Sequence, residues 1–183
     1  MTALPPVTLI LGGARSGKSR HGEALVEAGA ESCVYLATAQ AGDAEMAARI
    51  ARHRQRRGLR WTTIEEPFDL GGSLKLYCGP ERAVLVDCLT LWLSNLLGAD
   101  RDPEAETETL LAALPGLKGP VVFISNEVGQ GIVPDNALAR RFVDEAGHLH
   151  QALAAATDSV IFMTAGLPLI LKGAGAHTKV QAS

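Results

Sequence analysis

Several things are scarce in this 183-residue chain. Aromatic residues are 4% of it, too few to build a platform for stacking bases. Lys and Arg number 17 against 20 Asp and Glu, a formal net charge of −3, so the strongly basic footprint of a general nucleic-acid binder is missing. Three cysteines, Cys33, Cys78 and Cys88, have no CxxC pairing and no zinc-type spacing with histidine, and are read as reduced thiols of a cytoplasmic protein. No apolar run approaches the ~20 residues that would span a membrane. The opening MTALPPVTLILGG has no basic leader region and ends in glycines, so it does not read as a signal peptide.

What is present is apolar content of 47%, enough for a core in one domain of ordinary size. Short runs read as strands: Val7 to Leu11 and Ala83 to Val86 as buried ones, Cys33 to Ala37, Trp61 to Ile64 as a short one, Val121 to Ser125 and, as the last one, Val160 to Thr164. Between them fall helical patterns at Lys18 to Ala28, 43–57, Leu89 to Leu97, Pro103 to Leu114 and Asn136 to Thr157, the last one capped by Asp135 or Asn136. Alternation of this kind predicts an α/β fold, a mostly parallel sheet with helices on both faces. Residues 1–172 are expected to form one catalytic domain and 173–183 a loose tail.

One segment carries specific chemistry. Gly12-Gly13-Ala14-Arg15-Ser16-Gly17-Lys18-Ser19 fits G-x4-G-K-[ST], between a strand and a helix. Glycines let successive N–H groups converge on phosphate oxygens, and the helix start adds its positive end. Lys18 is placed to meet the outer phosphates and the Ser19 hydroxyl to hold Mg2+. Asp87 closes the run Ala83 to Val86 and is the expected second acid, holding Mg2+ or positioning a nucleophile; its competing role is to cap the helix at Leu89. Because ligands of parallel sheets sit at the strands' carboxyl ends, Gly12, Ala37-Thr38, Asp87 and Ser125-Asn126-Glu127 are expected around one crevice.

The pattern at 43–57, DAEMAARIARHRQRR, sets Glu45, Arg49, His53 and Arg57 four apart on one helical stripe. Flanking guanidiniums would keep the His53 imidazole neutral, a condition for attack on an α-phosphorus. His21 lies close to the phosphate loop without an evident partner, His148 and His150 read as surface residues of the long helix, and His177 is in the tail. The residues alone leave room for another small-molecule P-loop kinase, for a GTPase-type switch, although N-K-x-D and D-x-x-G are both missing, and for a strand-binding ATPase that would use the basic run 49–60.

In order along the chain stand GGARSGKSRH at 12–21, YLATA at 35–39, the 43–57 segment, W-x3-E at 61–65, VLVDCLTLWLSNLL at 84–97 and SNEVGQGIVPDNALARRF at 125–142. Together they resemble the bifunctional adenosylcobinamide kinase / adenosylcobinamide-phosphate guanylyltransferase family of cobalamin biosynthesis, over roughly residues 7–172. The resemblance implies a RecA-type P-loop fold and a homotrimer with sites between subunits. It implies phosphorylation of adenosylcobinamide by ATP or GTP, then transfer of GMP from GTP to adenosylcobinamide phosphate through a guanylyl-histidine, here His53. It further implies nucleotide contacts from Gly12 to Ser19, from Ala37, Thr38 and Ala39, from Arg54, Gln55, Arg56 and Arg57, and from the acids Glu65 and Asp87. No nucleic acid or membrane partner is implied.

Overall fold

A computed structural model of the chain describes residues 4–39 and 58–173. Seven strands form one sheet: β1 (Val7–Gly12), β2 (Ser32–Ala37), β3 (Trp61–Glu65), β4 (Arg82–Asp87), β5 (Val121–Ile124), β6 (Ser159–Thr164) and β7 (Leu167–Lys172). Their order across the sheet is β3-β2-β4-β5-β1-β6-β7. The first six are mutually parallel, and β7 alone runs antiparallel, beside β6. Among the described residues five α-helices accompany them: α1 (Lys18–Gly29), α2 (Leu70–Tyr77), α3 (Leu89–Gly98), α4 (Pro103–Ala113) and α5 (Ala137–Ala156).

Central strands such as β1 (VTLILG) are buried at every position, as expected of a strand covered on both faces. The alternation of side chains then sorts the core in two. Val7, Leu9, Leu36, Val86 and Phe123 meet Leu70 and Leu74 of α2, Trp92 and Leu96 of α3, Leu110 of α4, and Leu149 and Leu153 of α5. Ile10, Tyr35, Leu85, Val122 and Ile124 form the opposite layer, against Val26 of α1. There Gly22 sits so close to the sheet that a Cβ would lie 3.0 Å from Leu85 Cδ1 and 3.1 Å from Ile124 Cδ1.

The helix starts follow local chemistry. Asp102 accepts the Glu104 N–H at 3.1 Å ahead of Pro103 at the first helical position. Asn136, one of the two expected caps, accepts the Ala139 N–H at 2.7 Å. Two elements go beyond the sequence reading. The run LGGSLKLY is helical despite its glycines, because Asp69 caps it through the Gly72 N–H at 2.8 Å and Leu70 and Leu74 share one buried face. Val160 to Thr164 is also not the last strand: β7 comes after it, its Pro168 tolerated at the sheet edge where no ladder donor is needed. The helical pattern at 43–57 lies outside the described residues. Among the described residues no helix is long and apolar enough to cross a membrane.

Candidate active site

The register of the sheet brings the predicted site positions to one edge. Ala37 is level with Glu65 on one side and with Asp87 on the other. Asp87 is level with Ile124, and Ile124 with Ile10, two residues before the glycine loop. The carboxyl ends of β3, β2, β4, β5 and β1 therefore finish nearly flush, with the loop 12–19 rising from the last of these.

Backbone geometry explains the glycines of that loop. Gly17 holds φ +100° and Gly12 φ +148°, both in the region that disfavours side chains. A Cβ on Gly12 would lie 2.3 Å from the Met163 carbonyl oxygen and 2.9 Å from Ser16 Oγ. Arg15, at φ +56°, is the one non-glycine residue of the loop in this region. The Gly166 N–H donates to the Ser16 carbonyl at 3.0 Å, tying the loop to the turn between β6 and β7. Ser16 Oγ is buried without a hydrogen-bond partner among the described residues. An unpartnered hydroxyl in a glycine cradle at a helix start suits the oxygens of a phosphate chain.

Lys18 is only 6% exposed, and its Nζ donates to the Gly13 carbonyl at 2.7 Å. Burial pushes its pKa below the ordinary lysine value, while the nearby Asp87 carboxylate and, less, Cys88 hold it up. The loop lysine and the strand-end acid thus share one electrostatic environment. Asp87 does not cap α3: Cys88 occupies that position, and no side chain bonds the helix start. The Ser19 hydroxyl, in the first turn of α1, and the Asp87 carboxylate are both hard oxygen donors of the kind Mg2+ takes.

Beside Asp87 runs a chain of buried polar contacts. Thr38, fully buried, donates its hydroxyl to the Cys88 carbonyl at 2.8 Å and accepts the Cys88 N–H at 2.9 Å. Asn95 Nδ2 donates to the Thr38 carbonyl at 2.8 Å. Cys88 Sγ lies 3.0 Å from Thr90 Oγ1, which accepts from Asn126 Nδ2, also at 3.0 Å. The ends of β2, β4 and β5 are joined in this way beyond the last rung of the ladder. Thr90 and Asn95 were not legible as site residues, since on sequence they are polar positions inside an apolar helix.

Ser125, Asn126 and Glu127 do join the crevice: the Ser125 N–H donates to Ile10 and the Glu127 N–H to Gly12, both at 3.0 Å. One histidine expectation is overturned. His148 is exposed, but His150 is buried at 7% exposure, with Nε2 2.7 Å from Ser125 Oγ and Nδ1 3.9 Å from Glu127 Oε2. Burial lowers its pKa, and the Glu127 carboxylate opposes the shift. The signal was available: His150 falls on the stripe Ala146, Leu149, His150, Leu153, which is the helix's buried face. His21 is also depressed by burial. Glu65 is exposed at the end of β3, and Ala39, next to Thr38, is the last described residue of its segment. His53, Arg54, Gln55, Arg56 and Arg57 lie outside the described residues.

The glycine loop between β1 and α1, with β5 inserted between the loop strand and the strand bearing Asp87, defines a P-loop nucleotide-binding α/β protein. Solved structures share that fold. The flagellar accessory protein FlaH of Methanocaldococcus jannaschii matches with a TM-score of 0.56 at 14% identity, covering 94% of this chain and 81% of that one. An ATPase from the type III secretion system of pathogenic bacteria matches with a TM-score of 0.55 at 13% identity, covering 87% and 51%. The chain belongs to the family described as CobU, cobinamide kinase / cobinamide phosphate guanyltransferase, whose model matches residues 8–171. Among its relatives, the bifunctional adenosylcobalamin biosynthesis protein CobP of Pseudomonas aeruginosa is 54% identical, covering 90% of this chain and 96% of that protein. The corresponding CobU of Escherichia coli is 42% identical, covering 90% and 98%.

Proposed function

We propose that this chain carries out two successive reactions of cobalamin biosynthesis. In the first, a nucleoside triphosphate, ATP or GTP, phosphorylates the hydroxyl of the aminopropanol arm of adenosylcobinamide. In the second, GMP passes from GTP to the resulting adenosylcobinamide phosphate, releasing pyrophosphate. The observation that carries the reading is the buried Lys18 in the glycine loop, within electrostatic reach of Asp87, in a chain of this family.

In the kinase step the loop amides from Gly12 to Ser19 and the Lys18 ammonium stabilise charge on the outer phosphates. Ser19 and Asp87 would hold Mg2+, which when bound supplies charge neutralisation along the phosphate chain. Ala37, level with Asp87, Thr38 and Ala39 just beyond it, and Glu65, level with Ala37 on the next strand, contribute nucleotide contacts, with Glu65 toward ribose or base. In the second step His53 attacks the α-phosphorus of GTP and carries the guanylyl group as a phosphoramidate, and the cobinamide phosphate then displaces it. Arg54, Gln55, Arg56 and Arg57 hold the nucleotide beside it. Buried, unpaired Cys33, Cys78 and Cys88 support a reducing cytoplasmic setting. The working unit is a homotrimer.

The test is incubation with Mg2+ and GTP labelled at the α- or the γ-phosphorus, for wild type, His53→Ala and Lys18→Met. An acid-labile, base-stable adduct from the α-label, lost in His53→Ala, is expected. Lys18→Met is expected to lower transfer of the γ-label to adenosylcobinamide by about 10²–10³. An absent adduct with nucleotide binding intact would sink the guanylyl-histidine and leave a plain P-loop kinase.

A further inference from the structure

β5 lies between the strand that feeds the phosphate loop and the strand that ends in Asp87. The segment leaving β5 therefore stands beside both. Glu127 is fixed there by its main chain, whose N–H donates to the Gly12 carbonyl at 3.0 Å. Its carboxylate is fixed on one side only. Oε1 accepts the Gly129 N–H at 2.6 Å. Oε2 lies 3.9 Å from His150 Nδ1, too far for a hydrogen bond, so its lone pairs remain available. The side chain is 22% exposed, so the carboxylate is only partly covered.

Behind it, His150 is held from the far side by Ser125 Oγ at 2.7 Å. An Nδ1–H directed at the carboxylate leaves Nε2 to accept the Ser125 hydroxyl, the tautomer this arrangement favours. Burial keeps the imidazole below its ordinary pKa. It is therefore neutral near pH 7 and backs the carboxylate without a full positive charge beside it. None of these three side chains has a task in the phosphate loop or on the Asp87 strand, and burying a histidine–serine pair behind a half-free carboxylate needs a reason.

We propose that Glu127 accepts the proton of the acceptor hydroxyl in the phosphoryl-transfer step, and that His150, braced by Ser125, is the residue that positions it. The inference rests on the kinase reading above. The acceptor's O–H bond breaks and its proton passes to the Glu127 carboxylate. The oxygen forms a bond to the γ-phosphorus, and the bond from that phosphorus to the β–γ bridging oxygen breaks. Its electron pair leaves with the nucleoside diphosphate. Asp87 is less suited to this task, since its charge is engaged with Lys18. A base within reach of the acceptor contributes about 10²–10⁴ in rate.

The experiment measures steady-state phosphorylation of adenosylcobinamide by the full chain with Mg2+ and ATP, for wild type, E127Q, H150F, H150Q and the double variant E127Q/H150F. Equilibrium ATP binding and thermal unfolding are read alongside. The expected result for E127Q is a kcat lower by about 10²-fold or more, with the KM for ATP within about threefold of wild type. H150F lowers kcat by about tenfold, H150Q recovers most of that loss, and H150F costs nothing further in the E127Q background. An E127Q enzyme with kcat within threefold of wild type, or one whose loss tracks lost ATP binding, would overturn the role of Glu127. Equal slowing by H150F in both backgrounds would reduce His150 to a packing residue. A wild-type chain that phosphorylates nothing would overturn the kinase reading itself, and this inference with it.

Discussion

A buried histidine makes a side chain's electrostatic environment readable as stability. His150 and His21 are both held below the ordinary imidazole value of 6.5 by burial. An unfolded chain titrates near that ordinary value, so below pH 6.5 the unfolded state binds protons that the folded state refuses. Stability therefore falls as pH drops from 6.5 toward the depressed folded values and is insensitive to these groups above 6.5. Urea titrations across that range should give a shallower pH slope for His150→Gln than for wild type, and an unchanged slope would mean that the imidazole is not desolvated as described. Cys78 has the opposite polarity: burial pushes its thiol up to about 12, so it remains protonated, and unreactive toward disulfide reagents, until the chain opens.

At the scale of elements, the phosphate loop is held by its absence of side chains. In Gly12→Ala the new methyl would collide with the Met163 carbonyl 2.3 Å away, and with a backbone at φ +148° no rotamer relieves it. A loss of about 2 kcal/mol or more in unfolding free energy and a marked loss of nucleotide affinity are expected. A substitution that left both unaltered would show that β1 and β6 are less closely apposed than described. This element was fully legible, because Gly, Lys and Ser at fixed spacing mean the same thing in any chain that places them between a strand and a helix. The strands Val7–Gly12, Ser32–Ala37 and Arg82–Asp87 were legible for a similar reason, as short apolar runs with sharp stops. What was not legible depends on tertiary contact. Leu70–Tyr77 hides behind two glycines, and Leu167–Lys172 reads as a proline-bearing apolar scrap until β6 gives it a partner. The roles of Thr38, Thr90 and Asn95 arise from hydrogen bonds between residues 36 to 57 positions apart, which no local pattern announces.

For the whole molecule, one face of the sheet carries α2 to α5, while among the described residues α1 is the only helix on the other. The antiparallel edge is also apolar: Leu167, Leu169 and Leu171 are 68%, 56% and 52% exposed. Surfaces of that kind are commonly covered by a subunit. Sedimentation equilibrium should return three times the 19.2 kDa chain mass, and a concentration-independent monomer would sink the trimer proposal.

The strand order also bears on how the molecule is made. β1, which feeds the phosphate loop, pairs only with β5 and β6. Those partners are encoded at 121–124 and 159–164, more than a hundred residues downstream. During synthesis at about 5–20 residues per second, Leu9, Ile10 and Leu11 would wait on the order of 10 s for a neighbour to pair with. A chain released before residue 121 would hold the complete glycine loop and lack both strands that β1 pairs with. The part of the protein that grips the nucleotide is thus among the first to be written and among the last to become rigid.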